Sequence, residues 1–434
     1  MAQVRDTIFA VATGQGQSAI AVIRLSGPEA WSYVETLTGK SAPVPRRLVR
    51  RSLVDRFGLT LDDAMLIVFE DGASFTGERS AEIHCHGGRA VVDAILEELS
   101  RLGHSRLAEP GEFTRRAFEA GRMDLTEVEG LADLIAAETE FQRKQAIRVS
   151  TGQATSKLED WRSRLIRARA LIEVTIDWAD EEVPEDVSPE VADLLSGVRG
   201  EIAQELKQFA RTERLREGFE VALIGPPNVG KSSLLNAIAG RDVAIVSDIA
   251  GTTRDVLEVR CNLGGIPVTF LDTAGLRAAA DDIERIGVER ALARAQAADV
   301  RVRLRASDVA ETDAHDDVPA DLVIWSKCDL DRGDADHFVS AVTGEGIEDF
   351  LSSIRARLER HASGVGLFGH ARQRDALQKC HDAIVRAQAK TGTSDPEVLA
   401  DDLRSAVAAL DALSGRSSVE DVLGDVFASF CLGK

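Results

Sequence analysis

Gly225-Pro-Pro-Asn-Val-Gly-Lys-Ser232 is the stretch on which the reading of this chain turns. It fits G-x-x-x-x-G-K-[ST], a loop whose backbone N–H groups converge on the phosphates of a nucleoside triphosphate. Gly225 and Gly230 allow the tight turn, Lys231 supplies a cation for the β- and γ-oxygens, and the Ser232 hydroxyl is a ligand for Mg2+. The flanks agree: Phe219-Glu-Val-Ala-Leu-Ile224 reads as a buried strand and Ser232-Ser-Leu-Leu-Asn-Ala-Ile-Ala239 as a helix. The positive end of that helix dipole faces the anion. A pattern this loose also arises by chance, but the strand–loop–helix setting makes it a nucleotide site.

Four further stretches follow in the order that a phosphate-sensing switch requires. Gly251-Thr-Thr-Arg-Asp255 can bring the Thr253 hydroxyl to Mg2+. The strand Val268-Thr-Phe-Leu271 ends in Asp272-Thr273-Ala274-Gly275, where Asp272 reaches the metal through water and Gly275 offers an N–H to the γ-phosphate. The strand Leu322-Val-Ile-Trp325 ends in Ser326-Lys327-Cys-Asp329, whose last carboxylate accepts from N1–H and the 2-amino group of guanine and so selects GTP. Ser340-Ala341 stands where an N–H meets the guanine O6. With Asn228, Val229, Gly230, Lys231, Ser232 and Ser233, these make up the expected GTP site.

The chain has 434 residues, enough for about three domains. It shows no apolar run long enough to cross a membrane, and Met1-Ala-Gln-Val-Arg-Asp-Thr-Ile-Phe9 is no signal peptide, so a cytoplasmic protein is expected. Five scattered cysteines without a C-x-x-C pair read as free thiols. The formal charge of −20 does not attract nucleic acid as a whole body, so any such contact must be local. One candidate is Arg143 to Arg169, where eight basic residues face only Glu159 and Asp160; the other reading is a solvated face balanced by the acidic run Asp177 to Asp193.

Strands are expected at Ala19–Leu25, Asp63–Phe69 and Ser80–His86, with a helix from Ala90 to Leu102, giving an α+β N-terminal domain over residues 1–117. Long helical periodicity follows, opening on Thr126-Glu-Val-Glu129 as a capping box and continuing over Lys157 to Trp178 and Pro189 to Arg216. It returns from about Gly369. The fold class is thus α/β and α: an α+β domain, a discontinuous helical domain (118–214 and 358–434) and an inserted Ras-like P-loop G domain (215–357). Val300-Arg-Val-Arg-Leu-Arg-Ala-Ser307 carries three arginines and is expected as an exposed or irregular strand that weakens the G domain.

The phosphate loop, Gly251–Asp255, Asp272-Thr-Ala-Gly-Leu-Arg277, Ile283-Glu-Arg-Ile-Gly287 and the terminal Cys431-Leu-Gly-Lys434 together resemble the MnmE (TrmE) family of tRNA-modifying GTPases. Ser74-Phe-Thr-Gly-Glu78, His86-Gly-Gly88 and Pro110-Gly-Glu-Phe-Thr114 extend the resemblance over essentially the whole chain. The resemblance implies a homodimer that works with the FAD protein MnmG, in a heterotetramer or larger complex, on the wobble uridine of certain tRNAs. The group added is carboxymethylaminomethyl or aminomethyl. It further implies an N-terminal domain that holds a tetrahydrofolate derivative, 5-formyl or 5,10-methylene, through Arg24, Glu82, Arg122 and Lys434. Ras-like switches place glutamine after the D-T-A-G motif; here Leu276 stands there, and the resemblance assigns water positioning to Glu284. It assigns the charge of an arginine finger to K+, held by Asn228, Ser247, Ile249 and Thr252.

Two residues depart from the family pattern: Arg122 stands where lysine is usual, and Ser326 where asparagine is usual, so that a bracing hydrogen bond between loops is expected to be shortened or filled by water. Cys431 reads either as an inert thiol or, by the resemblance, as a residue near the folate with a role in modification. His84, Cys85 and His86 lack the further ligands of a zinc site. A ribosome-assembly GTPase would call for a KH-type loop or a second G domain after Ser353, where helices are read instead. A stand-alone folate-dependent aminomethyl transferase would leave the G domain without a purpose.

Overall fold

The structure is a computed structural model and describes residues 6–14, 16–177, 187–245, 258–272, 293–309, 319–362, 364–390, 396–417, 420–428, 430 and 433. The chain forms two compact units, one of residues up to Ala132 together with Asp411 onward, the other Asp133–Leu410.

Strands β1 (Thr7–Val11), β2 (Ile20–Ser26), β3 (Val49–Val54), β4 (Thr60–Phe69), β5 (Ser80–His86) and β6 (Ser105–Leu107) build the first sheet, in the order β3-β4-β5-β2-β1-β6. All pairs are antiparallel except β1 with β6. Period-two alternation sends Ile23, Leu25, Leu66, Val68 and Ile83 to one face. There they join Val34 and Leu37 of α1 (Ala30–Thr38) and Ile95 and Leu99 of α2 (Arg89–Arg101) in a buried cluster. The same alternation leaves Arg24 and Glu82 on the opposite face, paired in register across β2 and β5.

After α3 (Glu112–Glu119), helix α4 (Leu125–Ala136) is capped two residues earlier than the Thr126/Glu129 box expected from sequence. Asp124 accepts from the Glu127 N–H at 2.8 Å and Glu127 accepts from the Asp124 N–H at 2.8 Å, a reciprocal cap. Thr126, fully buried, donates its hydroxyl to Asp124 instead.

The second unit contains α5 (Glu140–Ser150), α6 (Gln153–Asp177) and α7 (Ser188–Glu217), then, after the second sheet, α10 (Ala371–Lys390) and all but the last turn of α11 (Pro396–Ser414). The apolar stripe of α7 runs Val191, Leu195, Val198, Ile202, Phe209 and Leu215. Trp161 of α6 is fully buried and stacks on Phe368, ring centroids 6.0 Å apart. Six of the eight basic residues of α5 and α6 pair with carboxylates: Arg143 and Lys144 with Glu140, Lys157 with Glu205, Arg164 with Glu201, Arg167 with Glu190 and Arg169 with Glu173, while Arg148 donates to Gln145 at 2.9 Å. Three of these carboxylates, Glu190, Glu201 and Glu205, stand on α7, and Glu190 also belongs to the acidic run Asp177 to Asp193, of which residues 178–186 lie outside the described residues.

The second sheet has the order β12-β11-β10-β7-β9-β8. It comprises β7 (Phe219–Ile224), β8 (Glu258–Leu263), β9 (Ile266–Asp272), β10 (Val300–Arg305), β11 (Leu322–Ser326) and β12 (His337–Val339), with α8 (Lys231–Ala239) and α9 (Ile347–Ala362) beside them. Every pair is parallel except β8 with β9. The arginine-bearing strand is neither exposed nor irregular, contrary to the sequence expectation. β10 lies between β7 and β11 in continuous register, with Val300, Val302 and Leu304 buried on one face and Arg301, Arg303 and Arg305 on the other. Alternation lets three arginines share one face, and Arg301 closes on Asp321 at 2.9 Å. The last short helix of the first unit is α12 (Glu420–Ala428).

Trp161→Ala is expected to destabilise the helical core by about 3–5 kcal/mol, the usual scale for a deleted buried aromatic. A urea titration followed by far-UV circular dichroism reads this as a lowered midpoint.

Candidate functional site

The phosphate loop joins β7 to α8. Gly225 has φ 149°, and a Cβ there would stand 2.8 Å from the Leu304 carbonyl oxygen, so only glycine fits. Gly230, at φ 109°, caps α8, and Asn228 takes the left-handed conformation at φ 63°, which asparagine tolerates better than most residues. Lys231 is buried and donates its Nζ to the carbonyls of Gly225 at 2.7 Å and Pro226 at 3.0 Å. Burial pushes its ammonium below the usual lysine value, opposed by the Asp272 carboxylate. Ser232 Oγ donates to Asp272 Oδ2 at 2.6 Å, so the last residue of β9 and the first turn of α8 share one hydrogen bond. Ser233 is exposed on the same turn, and Val229 is buried beneath the loop. Two hard oxygen donors beside a cradle of N–H groups suit a divalent cation with phosphate.

Ser326, at the end of β11, donates to the Val229 carbonyl of the phosphate loop and reaches the Arg305 carbonyl of β10 at 3.2 Å. The brace between loops is therefore direct. The shorter side chain reaches because β11, β10 and the loop converge there. Lys327 is left-handed at φ 56° and pairs with Asp308 at 2.6 Å, a partner that no sequence signal announced. Asp329 is exposed, and Ser340 is buried, its N–H tied to the Glu345 carbonyl at 3.0 Å. Ser247, Ile249, Thr252, Thr253, Thr273, Ala274, Gly275 and Glu284 lie outside the described residues.

In the first unit, Arg24 and Glu82 line a cavity of about 180 Å³ with Phe69, Ser74, Phe75 and Thr76. Arg24 donates to Glu82 Oε1 at 3.2 and 3.3 Å, while its guanidinium stands 5.3 Å from the Phe75 ring and 5.8 Å from that of Phe113. The other Glu82 oxygen lies 3.2 Å from His84 Nε2. Arg122 does not line the cavity; it donates to the Gly72 carbonyl at 3.1 Å and braces the turn whose middle does. Lys434 and Cys431 lie outside the described residues, but Gly433 is buried at φ 88° against the Val11 carbonyl. In the same unit, Arg116 is almost fully buried and bonds Glu78 and Glu112, each at 3.0 Å, an ion network that sequence reasoning missed. Cys85 faces the core and His86 pairs with Asp62 at 2.7 Å, and among the described residues no group of three or more potential ligands is arranged around a metal. Burial pushes the Cys85 thiol up to about 11 and those of Cys261 and Cys380 up to about 12.

Two family descriptions cover the chain: "GTP-binding protein TrmE N-terminus" over residues 7–122 and "MnmE helical domain" over residues 125–431. Proteins named tRNA modification GTPase MnmE from Roseobacter denitrificans and Cereibacter sphaeroides are each 50% identical to it, over 99% of this chain and 100% of theirs. The chain belongs to the MnmE family. The family's members are GTP-hydrolysing enzymes by name, and the fold agrees: a TrmE-type N-terminal domain, helices, and a P-loop sheet. Among solved structures, the FeoB G-domain from Methanococcus jannaschii is 25% identical over 33% of this chain and 98% of its own, with a TM-score of 0.26, too low to add to the fold described above.

Ser326→Ala removes the tie between β11 and the phosphate loop. A lost buried hydrogen bond of this kind costs about 1–3 kcal/mol, so a fluorescent GDP analogue is expected to bind roughly 10-fold more weakly in a titration.

Proposed function

We propose that this chain is a K+-activated GTP hydrolase that, with the flavoprotein MnmG, installs a carboxymethylaminomethyl or aminomethyl group at C5 of the wobble uridine of certain tRNAs. The observation that carries the reading is the cluster of buried Lys231 and Asp272 with half-buried Ser232 at the mouth of a glycine-built loop. In a chain of this family such a cluster serves GTP. In this reading Lys231 exchanges its two loop carbonyls for phosphate oxygens. Asn228 to Ser233 and Asp272 to Gly275 surround the phosphates, and Asp329, with Lys327 and the Ser326 brace, reads guanine.

Ser232 and Thr253 would hold Mg2+, which supplies positive charge to the phosphate oxygens. Asn228, Ser247, Ile249 and Thr252 would hold K+, which supplies the charge an arginine finger supplies elsewhere. Glu284 orients the attacking water. The Arg24–Glu82 cavity suits a reduced folate: a carboxylate accepts from a pterin's N–H groups, and aromatic walls cover the ring. Arg122, through its turn, and Lys434 complete that site, with Cys431 close to the modification chemistry.

Residues 1–117 then carry folate and pair two copies in a homodimer, 118–214 with 358–434 form the helical domain, and 215–357 form the inserted G domain. The description of the helical domain runs over residues 125–431, a span that holds both helical segments with the G domain between them. A substrate of tRNA supports a cytoplasmic protein in this reading; no described helix is long and apolar enough to cross a membrane.

Turnover measured in KCl and in NaCl tests the mechanism. The wild type should be markedly slower in NaCl, and Glu284→Ala should keep GTP affinity while turnover falls by at least ~100-fold, the usual scale for a lost positioning group. Equal rates in both salts, or a variant at full speed, overturn it. Separately, equilibrium dialysis with 5-formyltetrahydrofolate should show binding that Arg24→Ala abolishes, because the variant removes the guanidinium that faces the cavity and bonds Glu82.

A further inference from the structure

Strand β3 and its flanks carry a charge unlike the rest of the chain. Between Pro45 and Leu59 stand five arginines (Arg46, Arg47, Arg50, Arg51 and Arg56) against one carboxylate, Asp55, in a chain of formal charge −20. β3 is an edge of its sheet, so these side chains are flanked on one side only. Arg50 is neutralised by Asp63 at 2.6 Å, and Arg46 donates to the Ala73 carbonyl. Arg47, Arg51 and Arg56 have no carboxylate partner among the described residues; Arg47 and Arg56 are exposed and Arg51 half-buried. Asp55 is occupied in the turn, accepting from the N–H groups of Phe57 and Leu59, each at 2.8 Å. At the hairpin tip Phe57 is 74% exposed, with the Arg56 guanidinium 4.7 Å from its ring, and Leu59 beside it is 67% exposed.

We propose that this edge binds RNA, its unpaired arginines taking the phosphodiester backbone and Phe57 stacking on an unpaired base. The proposal rests on the reading of the chain as an enzyme acting on tRNA. An acidic protein repels a polyanion at long range, so contact needs a local basic surface of this kind. Unpaired loops of RNA are recognised by aromatic faces and guanidinium planes together, which is the combination at this tip. Charges on an edge strand also deter strand addition by another chain. That role, however, asks neither for arginine in the loop before β3 nor for an exposed ring at its tip. An acidic protein partner would use the arginines but leave Phe57 without a purpose.

The test is fluorescence anisotropy of a labelled RNA stem–loop with the full-length chain, titrated from about 50 to 200 mM salt, the range over which phosphate contacts are lost. The triple variant Arg47→Ala, Arg51→Ala, Arg56→Ala should bind at least ~10-fold more weakly at low salt, with a log–log salt slope shallower by about 2–3. Phe57→Ala should weaken the stem–loop by about 5-fold or more and leave a fully paired duplex of the same length unchanged. GTP turnover without RNA and the thermal melting curve should stay as in the wild type for both variants. Unchanged RNA binding in the triple variant overturns the surface and leaves the tRNA reading intact. Absence of any RNA binding by the wild type overturns the tRNA reading and the surface with it. Displacement of the RNA by polyglutamate as effectively as by unlabelled RNA marks a general anion surface and overturns the RNA assignment.

Discussion

The Leu304 carbonyl leaves no room for a side chain at position 225, and much of the second sheet follows from that close approach. The phosphate loop can turn its N–H groups inward only if it leaves β7 sharply, and it does so across the C-terminal end of β10. β10 must then be straight, central and in register with β7, because a displaced strand would move the wall against which the loop is folded. The same crowding brings Ser326 within reach of the loop. Its hydroxyl touches both the Val229 and Arg305 carbonyls, tying β11, β10 and the loop at one point.

What could be read in advance divides along physical lines. The phosphate loop was legible because its chemistry is local: glycine conformation, one lysine and one hydroxyl lie within eight residues. The order of strands around it was legible because each ends in a residue with a stated job. The regularity of β10 was not, because counting arginines ignores that period-two alternation confines them to one face. The cap of α4 was displaced because Asp124-x-x-Glu127 and Thr126-x-x-Glu129 both satisfy the same pattern, and only the complete burial of Thr126 decides between them. The Lys327–Asp308 and Arg116–Glu78 pairs join residues far apart in sequence and left no periodic trace.

The Arg24–Glu82 site shows how a resemblance and a register argument complement each other. Separated by 58 positions in sequence, the two residues are named by motif alone, and either could have been a surface charge. The pairing of β2 with β5 sets them directly opposite on the face away from α1 and α2. Phe75 and Phe113 then flank the guanidinium, so the ion pair is held at an aromatic wall rather than in open water. A charge pair kept partly dry in this way retains more of its strength than a surface bridge, and it offers a ligand both a donor and an acceptor in fixed places.

The C-terminal segment poses a different problem, since the chain leaves the first unit near Ala132 and returns near Asp411. Helical periodicity predicts helices there but says nothing about what they pack on. Apolar contacts among Leu125, Val128, Leu423, Phe427 and Phe430 draw the returning segment in, yet such contacts tolerate slippage. Backbone resting on glycine does not. A Cβ at Gly111 would lie 2.3 Å from the Phe427 carbonyl oxygen, and one at Gly433 2.2 Å from that of Val11. Both glycines hold positive φ, 70° and 88°, so substitution there would meet a steric and a conformational penalty at once. Position 433 therefore answers to packing on β1, which registers the returning segment on the first sheet and accounts for the glycine of the terminal tetrapeptide independently of any role for Cys431.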